Sequence, residues 1–175
     1  MSDIPDGLIL ERHRDLRGLR EVAWPRRVIL ALVTVFAVLG LLNVFGQRPT
    51  NATADSAAAS MTLNAPNHLR GGLLFSARFH ITAHQDVKDA VLVLDTGWAE
   101  GMAINTIEPS PLGQASRDGK LSLDLGHIAA GHAYVLYMQF QANATNIAWH
   151  RAAGATLLDG SKPLLHIDRK LDIYP

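Results

Sequence analysis

Seven of the eight histidines in this 175-residue chain fall after position 60, at His68, His80, His84, His127, His132, His150 and His166. With the thioethers of Met61, Met102 and Met138 they are donors that suit a copper-type metal. Their spacing does not build such a site. His80 and His84 are four apart on a run that reads as a strand, which puts them on one face about 13 Å apart. His127 and His132 flank the Ile128–Gly131 turn and could approach each other, yet no His-Glu-x-x-His run or closely spaced ligand pair occurs. The expectation is solvated or singly paired histidines, with no metal and no cofactor.

Covalent and acid–base chemistry fare no better. There is no cysteine, which removes disulfides, thiolate metal sites and a cysteine nucleophile. No Gly-x-Ser-x-Gly elbow is present. Asp86, Asp89, Asp95, Glu100 and Glu108 would form a glycosidase-type pair only by accident of folding, and no Asp-x-Asp-x-Asp-Gly calcium loop occurs. Asn51-Ala52-Thr53 and Asn143-Ala144-Thr145 fit the glycosylation sequon, a motif short enough to arise by chance. The chain is expected not to be an enzyme.

Two loops suit recognition instead. Asp95–Gly101, DTGWAEG, sets Trp98 and Glu100 between turn residues, and an exposed Trp there would anchor an interface. The alternative is a Trp98 folded back to plug the domain. Asn143–Arg151, NATNIAWHR, offers Trp149 and Arg151 in the same way, although Trp149 could equally be core.

The elements that must carry these loops begin with a membrane span. Val28–Phe45 is eighteen residues without a charge, about 27 Å as a helix, close to the hydrocarbon thickness of a bilayer. Trp24, Pro25, Arg26 and Arg27 precede it as an interfacial aromatic, a helix-start proline and two headgroup cations. Arg12, Arg14, Arg17, Arg20, Arg26 and Arg27 lie on this side against Arg48 on the other. The positive-inside rule therefore expects a cytoplasmic N-terminus and an extracytoplasmic C-terminal part. Ala52-Thr53-Ala54 and Ala57-Ala58-Ala59 resemble cleavage sites, but an uncleaved signal anchor in the plasma membrane is favoured over a signal peptide. Residues 1–27 form a basic juxtamembrane segment facing anionic lipid, and 46–60, GQRPTNATADSAAAS, read as a flexible stalk.

From 61 to 175 the pattern is alternation. Leu73–Ala83 places Phe75, Ala77, Phe79 and Ile81 on one face and Ser76, Arg78, His80 and Thr82 on the other. Further strands are expected at Met61–Asn64, Ala90–Leu94, Ala103–Ile107, Lys120–Leu125, Ala133–Ala142, Ala153–Leu158 and Leu164–Ile173. Turn signals lie between them, Asp118-Gly119 and Asp159-Gly160 among others. Seven or eight short strands with no helical period describe an immunoglobulin-like β-sandwich.

Asp124–His132, DLGHIAAGH, followed by the alternating run Ala133–Gln141, resembles bacterial immunoglobulin-like repeats of the CARDB type. Leu69–Gly72, Gly97–Gly101 and Asn105–Pro109 are similar to segments of actinobacterial single-span proteins. These resemblances imply the same tethered sandwich and bring no catalytic residues.

Sixteen basic residues balance sixteen acidic ones, which argues against nucleic acid as a partner. The expected partners are the lipid bilayer and a membrane or envelope protein, or a second copy of the chain. The function these features support is a membrane-anchored interaction module, with a metal- or carbohydrate-binding module as the alternative.

Overall fold

The computed structural model describes residues 19–42 and 46–175, with side chains from Trp24 onward except that of Arg117. The basic residues Arg12, Arg14 and Arg17, and the last three residues of the expected span, Asn43–Phe45, lie outside the described residues. The chain divides into two units at Phe45/Gly46, and each is described by itself.

The first unit contains α1, Leu19–Leu41. Pro25 lies inside this helix rather than at its start, so its missing N–H costs one internal rung. Ile29, Leu32, Val33, Phe36 and Leu41 are all exposed, and none of the window Trp24–Leu41 is covered by protein. The polar Thr34 is satisfied within the helix, its hydroxyl donating to Leu30 O at 2.8 Å. The helix is long and apolar enough to cross a membrane.

The second unit is built of thirteen strands: β1 Pro49–Asp55, β2 Ala59–Pro66, β3 His68–Arg70, β4 Leu74–Ala83, β5 Val87–Leu94, β6 Met102–Glu108, β7 Gly113–Arg117, β8 Lys120–Ile128, β9 Ala133–Ala142, β10 Ala148–Ala152, β11 Ala155–Asp159, β12 Lys162–Ile167 and β13 Lys170–Tyr174. Two five-stranded sheets, ordered β1-β2-β4-β9-β6 and β12-β11-β5-β8-β7, share a core with a three-stranded sheet, β10-β13-β3. The alternation read from the sequence decides the layering. Phe75, Phe79, Ile81, Leu136, Met138 and Phe140 point inward from the first sheet. Leu92, Leu94, Leu123 and Leu157 do so from the second, and Leu69, Leu171 and Ile173 from the third.

The strands outnumber the expected seven or eight for identifiable reasons. Residues 49–55, expected as stalk, form an edge strand in register with β2, from Pro49↔Pro66 to Asp55↔Ser60. Backbone pairing holds it, with only Ala52 and Ala54 packing on the core. The run Leu164–Ile173, expected as one strand, divides because its two halves join different sheets, β12 pairing with β11 and β13 with β10 and β3. The Asp118-Gly119 signal does make the β7–β8 hairpin turn. Both residues have positive φ, 52° and 73°, the pairing a two-residue type I′ turn requires.

A 3-10 turn at Thr96–Trp98 follows β5, and Gly97 is indispensable to it. A Cβ at Gly97 would collide with the Ala152 carbonyl and lie 2.9 Å from Arg151 Cγ. Gly97→Ala is therefore expected to destabilise the unit by about 1–3 kcal/mol, measured by denaturant unfolding of the full-length protein. An unchanged midpoint would mean the turn can move off the β10 backbone at little cost.

Candidate interaction surface

The two loops singled out by sequence meet in space, but mostly to hold the fold together. Trp98 is 1% exposed. Its ring packs against Phe140, Phe79 and Phe75 at centroid separations of 5.1, 6.0 and 6.4 Å, and its indole N–H donates to Gly154 O at 3.0 Å. It plugs the sandwich and is not an interface anchor, because the close approach of Gly97 to β10 turns the ring inward. Arg151 is likewise withdrawn, its side chain only 15% exposed. It donates from Nη1 to Glu100 O at 2.6 Å and from Nη2 to Asn146 Oδ1 at 3.0 Å, while Asn146 Nδ2 donates to Gly101 O at 2.8 Å. Arg151 and Asn146 thus clasp one loop to the other. Glu100 stays exposed, with its carboxylate 3.8 Å from Arg151 Nε. Trp24, Arg26 and Arg27 are exposed on α1.

Trp149 is the one expected interaction residue in the sandwich that remains a free aromatic surface, 61% exposed. The register of β10 against β13 shifts between Ala148 and Arg151. This bulge turns the consecutive residues Trp149 and His150 both to solvent. His150 holds a positive φ of 52°, uncommon for a residue with a Cβ. Its backbone N–H is pinned by Asp172 Oδ1 at 2.6 Å. Bulges of this kind re-aim side chains, and backbone held in a sparse region is a feature associated with functional sites.

Around Trp149 the three-stranded sheet assembles residues that sequence reasoning did not connect. Tyr174 meets Trp149 edge-on, with ring centroids 5.0 Å apart and planes at 87°. Parallel pairing of β13 with β3 sets Asp172 opposite His68 and Tyr174 opposite Arg70. The Asp172 carboxylate lies 3.5 Å from His68 Nδ1 and 3.8 Å from His150 Nδ1. Exposed Ile147 continues the apolar surface along the preceding loop. Gly71 N donates to Tyr174 O at 2.8 Å, and a Cβ on Gly71 would lie 2.8 Å from Ala144 O. The β3–β4 turn, the 143–147 loop and the C-terminal strand therefore meet at one corner. The parallel partners here are separated by more than 100 positions in sequence, so no local pattern announces them.

The remaining histidines disperse. His84 Nε2 lies 3.2 Å from Asp55 Oδ1, His127 Nε2 2.7 Å from Asp86 Oδ1, and His166 Nδ1 2.9 Å from Thr156 Oγ1. His127 and His132 take separate partners, the latter 3.3 Å from Ala130 O. Among the described residues no group of three His, Asp or Glu side chains is placed to hold a metal. Asp95 is paired with Lys120 at 3.1 Å, and Asp159 Oδ1 accepts from Asp89 N at 2.9 Å.

No protein-family model matches the chain, and no curated protein matches it. Among solved structures it is similar to AvmM, which catalyzes macrocyclization in alchivemycin A biosynthesis, at 7% identity and a TM-score of 0.42, over 70% of this chain and 92% of that one. It is similar to a non-cellulosomal cohesin from the archaeon Archaeoglobus fulgidus at 9% identity and a TM-score of 0.35, over 73% and 86%. The sporulation control protein Spo0M of Bacillus subtilis follows at 14% identity and a TM-score of 0.37, over 70% of this chain and about half, 51%, of that one. These likenesses concern shape alone and say nothing of activity.

Proposed function

We propose that this chain is a non-enzymatic interaction module, anchored by α1 in the plasma membrane, whose sandwich recognises a membrane or envelope protein through the corner centred on Trp149. The observation that carries this reading is an indole held in solvent by a bulge with a left-handed histidine, beside Tyr174 and Ile147. Such exposed aromatic anchors dominate the energetics of protein interfaces. The resemblance of residues 124–141 to CARDB-type repeats and the apolar helix support a tethered sandwich of bacterial type. The test is site-specific photo-crosslinking in cells, with a photoreactive residue at Ile147 or, as control, at the exposed Leu112 (77%), which bonds to β8 of the second sheet. A discrete protein adduct from position 147 and none from 112 is expected. Equal labelling from both positions, or none from either, would sink the reading.

A second reading rests on the flanking polar groups. Trp149 with Asp172, His68 and His150 at its edge is also the make-up of a carbohydrate platform, an apolar ring face beside groups that bind hydroxyls. Retention on envelope glycan without a protein adduct would favour it.

The concentration of arginines before the span supports a cytoplasmic N-terminus and an extracytoplasmic sandwich. Since the chain contains no cysteine, single replacements report sidedness cleanly. A membrane-impermeant maleimide is expected to label Ser161→Cys in intact cells, and Ser2→Cys only after lysis. The reverse pattern would invert the topology and discard an extracytoplasmic partner.

A further inference from the structure

The outer face of the first sheet has a symmetry about its strand β9. Directly opposed residues of paired strands project to the same face, so the register sorts the outward side chains into rows running from β4 through β9 to β6. Arg78 lies opposite Tyr137, and Tyr137 opposite Glu108. In the next row Ser76 and Thr106 flank Gln139, and in the one after it Leu74 and Ala103 flank Gln141. The β4 member of each row is therefore the complement of the β6 member: cation with anion, hydroxyl with hydroxyl, apolar with apolar.

These complements do not meet within one chain. Arg78 and Glu108 are both exposed, and neither enters an ion pair or a side-chain hydrogen bond among the described residues. Two strand spacings, about 9–10 Å, and the Tyr137 ring separate them. On the strand between, Tyr137 and Val135 are large side chains left exposed. A central ridge of this kind, with one free cation on one flank and one free anion on the other, fits its own copy turned through half a revolution.

We infer that this face docks on the same face of a second copy of the chain, about a two-fold axis running along β9 between the two sheets. That rotation lays each row on its own reverse. Arg78 of each copy meets Glu108 of the other, while Tyr137 and Val135 cover their own counterparts on the axis. Aligned sheets pack about 10 Å apart and cross at about 30°, so the row at Tyr137, taken as the centre, is matched best. The overlap of three strands is about 14 by 30 Å, or about 900 Å² over both copies, the low end for a specific contact. With so little area, the two ion pairs decide whether the dimer forms. An unrelated protein or a glycan would not require the flanks of β9 to complement each other. The face shares no residue with the Trp149 corner, so either reading can fail alone.

The experiment uses the full-length protein in mild detergent, with one cysteine introduced into a chain that has none and a short bis-maleimide as crosslinker. Gln139→Cys, on the axis, is expected to give a covalent dimer, and Ser161→Cys, in the β11–β12 turn of the second sheet, none. In the Gln139→Cys background, Arg78→Glu or Glu108→Arg alone should cut the dimer yield at least about tenfold, because each sets like charges together twice. The two reversals combined should restore the yield, and that recovery also excludes a folding defect as the cause of the single losses. A dimer held by α1 alone would ignore the charges. No dimer from position 139, a yield that neither reversal alters, or a double variant no better than the single ones overturns the inference.

Discussion

Trp98→Ala is expected to remove about 3–5 kcal/mol of folding free energy, a large part of the stability available to a domain of this size. The indole is the largest fully buried side chain and touches three phenylalanines from two strands of the first sheet. Phe75 and Phe140 also stack on each other at 5.3 Å, so truncation would empty the centre of an aromatic cluster rather than its edge. Trp98→Phe separates the two contributions of the ring. It keeps most of the buried area but loses the bond to Gly154 O, an oxygen that still accepts from Asp95 N at 3.1 Å. The cost should then fall to about 1–2 kcal/mol. Both values come from denaturant unfolding of the full-length protein, followed by loss of the β-sheet circular dichroism signal. A Trp98→Ala chain as stable as the parent would show that the ring is dispensable and restore Trp98 as a candidate for surface recognition.

That ring also shows where sequence reading stops. DTGWAEG correctly marks a loop with an aromatic residue between glycines, but the direction of the ring is decided by Gly97 pressing against Ala152, some 55 positions later in the chain. The same applies to Arg151, whose guanidinium looks available in NATNIAWHR and is consumed by the Glu100 carbonyl and Asn146. Local patterns, by contrast, carry their own signal. Leu73–Ala83 and Ala133–Ala142 each have one face in the core and one in water, so a period of two appears in the residues themselves. The apolar helix and the Asp118-Gly119 turn are equally local. Elements held by pairing alone leave no such trace. β1 turns only Ala52 and Ala54 toward the core, and β3 is three residues long.

The candidate surface was half legible for the same reason. Trp149 could be named as an exposed aromatic, but Tyr174, Asp172 and His68 join it only through the parallel β13–β3 pairing and the bulge in β10. Local chemistry thus supplies candidates, and long-range register chooses among them.

The contrast with Trp98 makes Trp149→Ala the sharpest test of function. Its ring is mostly in water and its one described aromatic partner is the edge of Tyr174, a contact worth about 0.5–1.5 kcal/mol. Folding stability should therefore fall by about 1 kcal/mol or less. Binding should suffer far more. If the indole is the central anchor of an interface, its truncation costs about 2 kcal/mol or more, which is at least a thirtyfold loss of affinity. Leu112→Ala, at an exposed apolar position on the β7 side of the second sheet, should change neither quantity. The comparison is made on full-length variants in vesicles, with the partner captured by crosslinking as ligand and unfolding midpoints recorded in parallel. Loss of binding without loss of fold assigns recognition to the Trp149 corner. Unaltered affinity in Trp149→Ala would remove that corner from the interface, and the exposed face of another sheet would have to carry the partner.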